Sequence, residues 1–165
     1  MIRSGLGVDS HRFEPGRPLI LGGVDIPHEE GLAGLSDAVV LTLAIVVALL
    51  GAAGLGDIGQ HFPDTDARFK DADSLELLRT VVVFLEDNGF RIVHIDATVM
   101  MERPKLSPYR DAMRQTLADA LRIGLGHVNV KATTGERMGF VGRGEGAAAM
   151  AIATLDRPEE LPAPR

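Results

Sequence analysis

The chain has no cysteine, no tryptophan and a single tyrosine, and aromatics make up only 4% of its 165 residues. Without cysteine there is no disulfide scaffold, thiolate zinc site, iron–sulfur cluster or cysteine nucleophile. Any metal must therefore be held by carboxylates and the five histidines, His11, His28, His61, His94 and His127. A basic excess is also missing: 17 Lys and Arg stand against 23 Asp and Glu, a net charge of −6. That balance argues against a nucleic-acid binder or a polybasic membrane adaptor. The first 21 residues hold Asp9, His11, Arg12 and Glu14 where a signal peptide would have its apolar core. The expectation is a cytoplasmic protein of one domain, long enough to bury a real core.

What is present is unevenly spread. Residues 38–56 form a run of nineteen without a charge, with Thr42 its only hydroxyl. This length is at the threshold for a membrane span. No Lys, Arg, Trp or Tyr anchors either end, and Gly51, Gly54 and Gly56 interrupt the second half. The run therefore reads as a buried helix over residues 37–50, with membrane insertion the weaker alternative.

Residues 2–8 read as a first strand, and 18–21 with 24–26 as a hairpin around Gly22-Gly23. Asp73 and Glu76 make a capping box for a helix to about Asn88, ended by Gly89. Residues 90–100 read as a strand, and Ser107-Pro108 as the N-cap and first residue of a helix running to Ile123 and closed by Gly124. Two last strands, 128–133 and 147–155, flank a glycine-rich loop. Residues 1–155 form the domain, and 156–165, with three prolines, read as a frayed tail. Alternating strands and helices give an α/β or α+β class around one mixed sheet.

Several groups can carry chemistry. Asp9 and His11, two apart in extended chain, project to one side and can present a carboxylate and an imidazole to one zinc ion. The same triplet also suits an ordinary strand-end turn. The segment 133–146 has five glycines in fourteen residues, so backbone amides can approach an anion, with Arg143 to pair a phosphate. Thr133, Thr134 and Glu136 add hydroxyls and a magnesium ligand, and a flexible hairpin is the plain alternative. Arg103-Pro104-Lys105 brings two cations to a strand–helix loop. Asp57, Asp64 and Asp66 suit tight turns. The remaining four histidines have no partner at ligand spacing.

Taken together the motifs resemble the 2-C-methyl-D-erythritol 2,4-cyclodiphosphate synthase family. The matching stretches are G-x-G-x-D-S-H-R-F from Gly5, G-L-G-D-I-G from Gly54, F-P-D-T-D from Phe62, R-P-K from Arg103 and V-N-V-K-A-T-T-x-E-x-x-G-F-x-G-R-G-E-G from Val128. They run in family order over roughly residues 1–155. The resemblance implies a homotrimer with inter-subunit active sites, each subunit a mixed sheet with helices on one side. It implies a cytidine diphosphate substrate, 4-diphosphocytidyl-2-C-methyl-D-erythritol 2-phosphate, whose 2-phosphate attacks its own β-phosphorus and releases CMP. Such a site works by positioning and charge neutralisation.

By the same resemblance Asp9 and His11 are zinc ligands, Glu136 holds magnesium or manganese, and Thr134 stabilises the transition state. Met101, Glu102, Arg103, Pro104, Lys105, Leu106 and Ser107 resemble the cytidine pocket, closed by Thr133. Asp57, Ile58 and Gly59, with Phe62, Pro63, Asp64, Thr65 and Asp66, resemble the loops around the methylerythritol. Ser10, Ser36 and Gly135 join the substrate-binding set. Phe140 and Arg143 match positions at the trimer axis, where the family has a cavity for isoprenoid diphosphates.

One stripe departs. Where the family pattern has H-S-D-x-D-V-x-x-H-A-x-x-D-A, this chain has Leu35, Val39, Leu43 and Val47 in place of two histidines and two aspartates. Leu35 stands for a histidine that orients phosphate and Leu43 for the third zinc ligand. Spacing of i, i+4, i+8 and i+12 winds these along one side of a helix. The pattern is that of an altered synthase or a natural inactive paralogue, with zinc weakened or absent and turnover strongly impaired. The competing reading is a non-catalytic trimer that keeps cytidine-nucleotide or isoprenoid-diphosphate binding.

Overall fold

A computed structural model describes residues 1–34, 39–63, 66 and 73–158. In chain order the strands are β1 (Ile2–Pro15), β2 (Leu19–Leu21), β3 (Val24–Ile26), β4 (Glu30–Leu32), β5 (Arg91–Met100), β6 (Val128–Thr133) and β7 (Gly146–Asp156). The helices are α1 (Val39–Ala53), α2 (Ile58–His61), α3 (Ser74–Asp87), α4 (Arg110–Leu121) and α5 (Gly139–Gly142). Among the described residues five strands form one mixed sheet in the order β4-β1-β7-β5-β6, in which β5 and β6 are parallel and the other neighbours antiparallel. β2 and β3 make the separate hairpin that the sequence predicts.

The sheet has a covered face and an open one. Along β1 the odd-numbered residues from Arg3 to Phe13 turn inward and the even-numbered ones outward, the two-residue period of a strand. α1 packs on the inward face against β1, β7, α3 and β5. It is apolar all round because it is surrounded: Val40, Leu41, Ala44, Ile45, Val46, Ala48, Leu49 and Leu50 are fully buried. Among the described residues no helix is long and apolar enough to cross a membrane.

The approach of α1 to β1 depends on two glycines. A Cβ at Gly7 would sit 1.9 Å from the Ala44 carbonyl oxygen, and one at Gly5 would sit 2.2 Å from the Ala48–Ala52 backbone. Gly51 does not break the helix. It lies over Gly5, and α1 continues to Ala53, three residues beyond the predicted end.

Other boundaries differ for local reasons. β1 runs to Pro15 rather than residue 8, since β7 pairs with it as far as Arg12 and β4 takes over at Phe13. The Asp9–His11 triplet is thus mid-strand. Asp73 caps α3 by accepting from the Leu75 amide at 3.0 Å, but Glu76 turns to Arg79, so only half the capping box forms. Ser107–Tyr109 is a single 3-10 turn, and α4 starts at Arg110 without a side-chain cap. α4 ends when Arg122 adopts a left-handed conformation (φ 57°), so Gly124 is not its stop. At the other end, Asp156 still belongs to β7 and the Arg157 amide donates to the Met1 carbonyl at 3.0 Å. Residues 159–165 of the expected tail lie outside the described residues.

Candidate active site

The β1 pleat brings Asp9 and His11 to the same inward face, as their spacing predicts. His11 Nε2 is 2.8 Å from Asp9 Oδ2, and His11 Nδ1 is 2.6 Å from the carbonyl oxygen of Ala33. Both ring nitrogens thus face acceptors. Hydrogen bonding to Asp9 holds the imidazole above its ordinary pKa, against the opposite pull of burial.

α1 descends antiparallel to β1, with Ala52 and Ala48 at Gly5 and Ala44 at Gly7. Its first turns therefore approach Asp9. Leu43, on the first turns of α1, is half-buried and has no donor atom. Leu35, Ser36, Asp64 and Thr65 lie outside the described residues, as does the Val39 side chain. No cluster of three or more metal-ligating side chains exists among the described residues. A catalytic zinc site takes three protein ligands, so two donors already closed on each other do not fit zinc.

A second group assembles at the ends of the parallel pair β5 and β6. Met100 is level with Thr133, and the Met101 amide donates to the Thr133 carbonyl at 3.0 Å. The two following loops, 101–107 and 133–137, leave side by side. Met101 and Leu106 are buried, whereas Arg103, Lys105, Thr133, Thr134 and Glu136 are exposed. A cavity of about 310 Å³ opens here, lined by Leu106, Ser107, Arg110, Met113, Val130, Lys131 and Ala132. Its size falls at the lower end for small-molecule pockets. Arg110, Met113, Val130 and Lys131 were not among the sequence candidates. Of the four only Lys131 has a sequence signal, the K-A-T-T run that places it beside the expected loop.

Glu136 is the exposed carboxylate of this loop, held with φ at 52°. One carboxylate suffices for magnesium when a substrate's phosphates supply other ligands, so Glu136 fits that role. The backbone amides expected to meet an anion are engaged within the chain: those of Gly135 and Arg137 donate to Glu102. Arg143 is likewise partnered, its Nε 2.7 Å from Glu145 Oε1.

Asp57 caps α2, accepting from the Gln60 amide at 3.1 Å, and α2 carries Ile58 and Gly59. Phe62 and Pro63 follow, and the Asp66 amide donates to the Pro63 carbonyl at 2.9 Å. Near His11 a cleft of about 600 Å³ includes Ser10, Phe13, Glu30, Phe140 and Glu145, which brings Phe140 to the Asp9–His11 end of the sheet. A larger cavity of about 920 Å³ lies at Met1, Asn88 and Arg157 and contains none of the motif residues.

A mixed sheet covered on one side by helices, with an acidic–imidazole pair on β1 and a cavity beside β6, defines a single-domain α/β fold. The chain belongs to the YgbB family, whose model matches residues 2–156. A relative from Salinibacter ruber named 2-C-methyl-D-erythritol 2,4-cyclodiphosphate synthase is 58% identical over 154 residues, 93% of this chain and 98% of its own length. One of the same name from Geobacillus kaustophilus is 54% identical over 157 residues, 95% and 99% of the two chains. Among solved structures, the bifunctional IspDF from Campylobacter jejuni superposes with a TM-score of 0.91 at 43% identity. That match covers 96% of this chain and spans 43% of the bifunctional protein's length. A 2C-methyl-D-erythritol-2,4-cyclodiphosphate synthase in its CDP-bound form superposes at 0.86 with 36% identity, covering 93% of this chain and all of the other. By family, then, the function is that of these synthases.

Proposed function

We propose that this chain is a cyclodiphosphate synthase in fold and nucleotide pocket whose zinc site has been dismantled. The reaction of the family reading is intramolecular. A 2-phosphate oxygen of 4-diphosphocytidyl-2-C-methyl-D-erythritol 2-phosphate forms a bond to the β-phosphorus, and the bond from that phosphorus to the CMP oxygen breaks. The products are a cyclic diphosphate and CMP. Little covalent work falls to the protein, so rate depends on holding the two phosphates in line and neutralising their charge.

On this reading the loop 101–107, with Thr133, receives the cytidine, and the adjoining cavity gives it room. Thr134 and Glu136 lie on the diphosphate side, Glu136 carrying magnesium or manganese. The loops at Asp57–Gly59 and Phe62–Asp66 close on the methylerythritol. The protein is a cytoplasmic homotrimer with sites shared between subunits. Support for assembly comes from the open sheet face, where Leu6, Val8, Met150 and Ile152 remain 62%, 51%, 46% and 49% exposed. Such a contiguous apolar row on a monomer marks a contact surface.

The observation that carries the dismantled zinc site is the Asp9–His11 pair, which satisfies itself at 2.8 Å, and the resemblance assigns the third ligand position to Leu43, which has no donor atom. The test compares this chain with the fourfold reversal Leu35→His, Val39→Asp, Leu43→His and Val47→Asp. CMP release is expected to be near background for the first and restored in the second, while both bind CDP. Full turnover by the unsubstituted chain would overturn the proposal.

A further inference from the structure

Three consecutive amides, those of Gly135, Glu136 and Arg137, are all captured by side-chain oxygens. Gly135 N–H donates to Glu102 Oε2 at 2.8 Å and Arg137 N–H to Glu102 Oε1 at 3.3 Å. Between them Glu136 N–H donates to Thr134 Oγ1 at 3.3 Å. Glu136 and Arg137 have φ values of 52° and 62°, a conformation that L residues hold only when their surroundings impose it. Successive amides converging in this way form a nest for an anion. Here the anion is the chain's own Glu102 carboxylate.

The nest is also locked sterically. A Cβ on Gly135 would come within 2.5 Å of the Gly142 amide nitrogen, and one on Gly142 within 2.3 Å of the Arg137 backbone. Glu102 reaches it from another loop because β5 and β6 run parallel and end level, with Met101 bonded to Thr133. Its carboxylate is therefore a bridge between loop 101–107 and the turn that bears Thr134 and Glu136.

We propose that Glu102 is a positioning residue: it does not touch the nucleotide but fixes the diphosphate-side turn in register with the base-side loop. This rests on the nucleotide reading above and replaces the expected role of Glu102 as part of the cytidine pocket. Two consequences follow from the geometry. The Gly135 and Arg137 amides are not open to a phosphate, so that side of the ligand is met by the Thr134 and Glu136 side chains. Loss of the carboxylate frees a strained turn and weakens the phosphate end of the site while sparing the base end.

The test uses the full chain with Glu102→Ala and Glu102→Gln, and reads two quantities. The first is amide hydrogen exchange at Gly135 and Arg137. Glu102→Ala should speed exchange at both by about tenfold or more, the loss of charge-assisted hydrogen bonds. Glu102→Gln keeps one acceptor oxygen and should protect one of the two amides. The second is calorimetric affinity for cytidine and for CDP. Glu102→Ala should weaken CDP by about tenfold and leave cytidine within about twofold, with the glutamine variant between. A purely structural role would lower the melting temperature and weaken both ligands alike, and that result overturns the proposal. Unchanged exchange in Glu102→Ala overturns it as well. Failure of the unsubstituted chain to bind CDP overturns the function proposed above, and the exchange contrast alone then decides whether Glu102 holds the turn.

Discussion

His11 Nε2 and Asp9 Oδ2 stand 2.8 Å apart on adjacent inward positions of β1, so the imidazole and carboxylate partner each other. The Ala33 carbonyl meanwhile holds Nδ1, the arrangement that orients Nε2 for a metal in histidine sites generally. A competent orientation without a third donor among the described residues predicts weak metal retention. After equilibration with zinc and dialysis, elemental analysis should find well below one zinc per chain. Leu43→His should raise that content towards one, because it restores a three-ligand set. Stoichiometric zinc in the unsubstituted chain would count against this account.

Thr42 is fully buried in α1, and its Oγ1 has no hydrogen-bond partner among the described residues. A buried hydroxyl without a partner forfeits its hydration, a cost of about 1–3 kcal/mol in proteins. Thr42→Val has nearly the same shape and removes the unmet group. We expect it to stabilise the chain by about 1 kcal/mol, measured as a rise in the denaturant midpoint with the slope unchanged. Destabilisation would mean that the hydroxyl has a partner in solution.

The order of elements and the class of fold were legible because hydrophobic periodicity and turn residues report local structure. The charge-free run read correctly as a buried helix, since Asp37 and the following glycines bound it too tightly for a membrane span. The sequence ends it too early because Gly51 looks like a breaker, whereas packing of Ala48 and Ala52 against Gly5 carries the helix past it. The sequence pattern ends β1 too early because Asp9, Ser10, His11 and Arg12 carry no strand signature, and pairing with β7 keeps them extended. At the site, the Asp9–His11 alignment follows from the strand period alone. The Glu102 clamp was illegible for the opposite reason: it joins residues 33 and 35 positions apart through a parallel strand pair. Arg143 is illegible for a different reason: its partner Glu145 is only two residues away, but no pattern specifies the loop conformation that joins them.

Close contact of α1 with β1 makes Gly7 intolerant of any side chain. An added methyl would lie 1.9 Å from the Ala44 carbonyl oxygen, and the backbone on either side cannot rotate away as a side chain can. Gly7→Ala must lift the helix from the sheet at its centre. The expected loss is roughly 1–3 kcal/mol or more, the range for overpacked cores. For a domain of this size that is a fall in melting temperature of about 2–4 °C per kcal/mol. Gly51→Ala is the control, since the nearest atom to its Cβ is 3.9 Å away.

Asp156 ties the two chain ends into the sheet through Arg91 and the Met1 ammonium, at 2.6 and 3.3 Å. The hydrogen bond from Arg91, with help from the N-terminus and against burial, holds its carboxyl below the usual range. A depressed folded-state pKa contributes stability above the unfolded value, about 3.9, and loses it as pH falls through the folded value. Thermal melts recorded from pH 6 down to pH 2 should therefore show a steeper decline below pH 4 for the unsubstituted chain than for Asp156→Asn. At pH 6 the variant should be the less stable of the two. Parallel acid profiles would show that Asp156 keeps its ordinary pKa.

The open face of the sheet is where the proposed trimer would make its subunit contact. Leu6 pairs with Ile152 and Val8 with Met150 across β1 and β7, so the four side chains form one continuous block. Asp96, Asn129 and Lys131 flank it, joined by hydrogen bonds of 3.1 and 2.6 Å from the Asn129 and Lys131 side chains to Asp96. An apolar block rimmed by satisfied polar groups is the composition of an assembly interface. A glutamate at its centre would bury a charge without a partner in every copy of a symmetric contact. Ile152→Glu should therefore shift the chain from trimer to monomer in sedimentation velocity while far-ultraviolet circular dichroism stays unchanged. It should also weaken CDP binding if the sites are shared between subunits. A variant that remains trimeric would place the subunit contact on another surface.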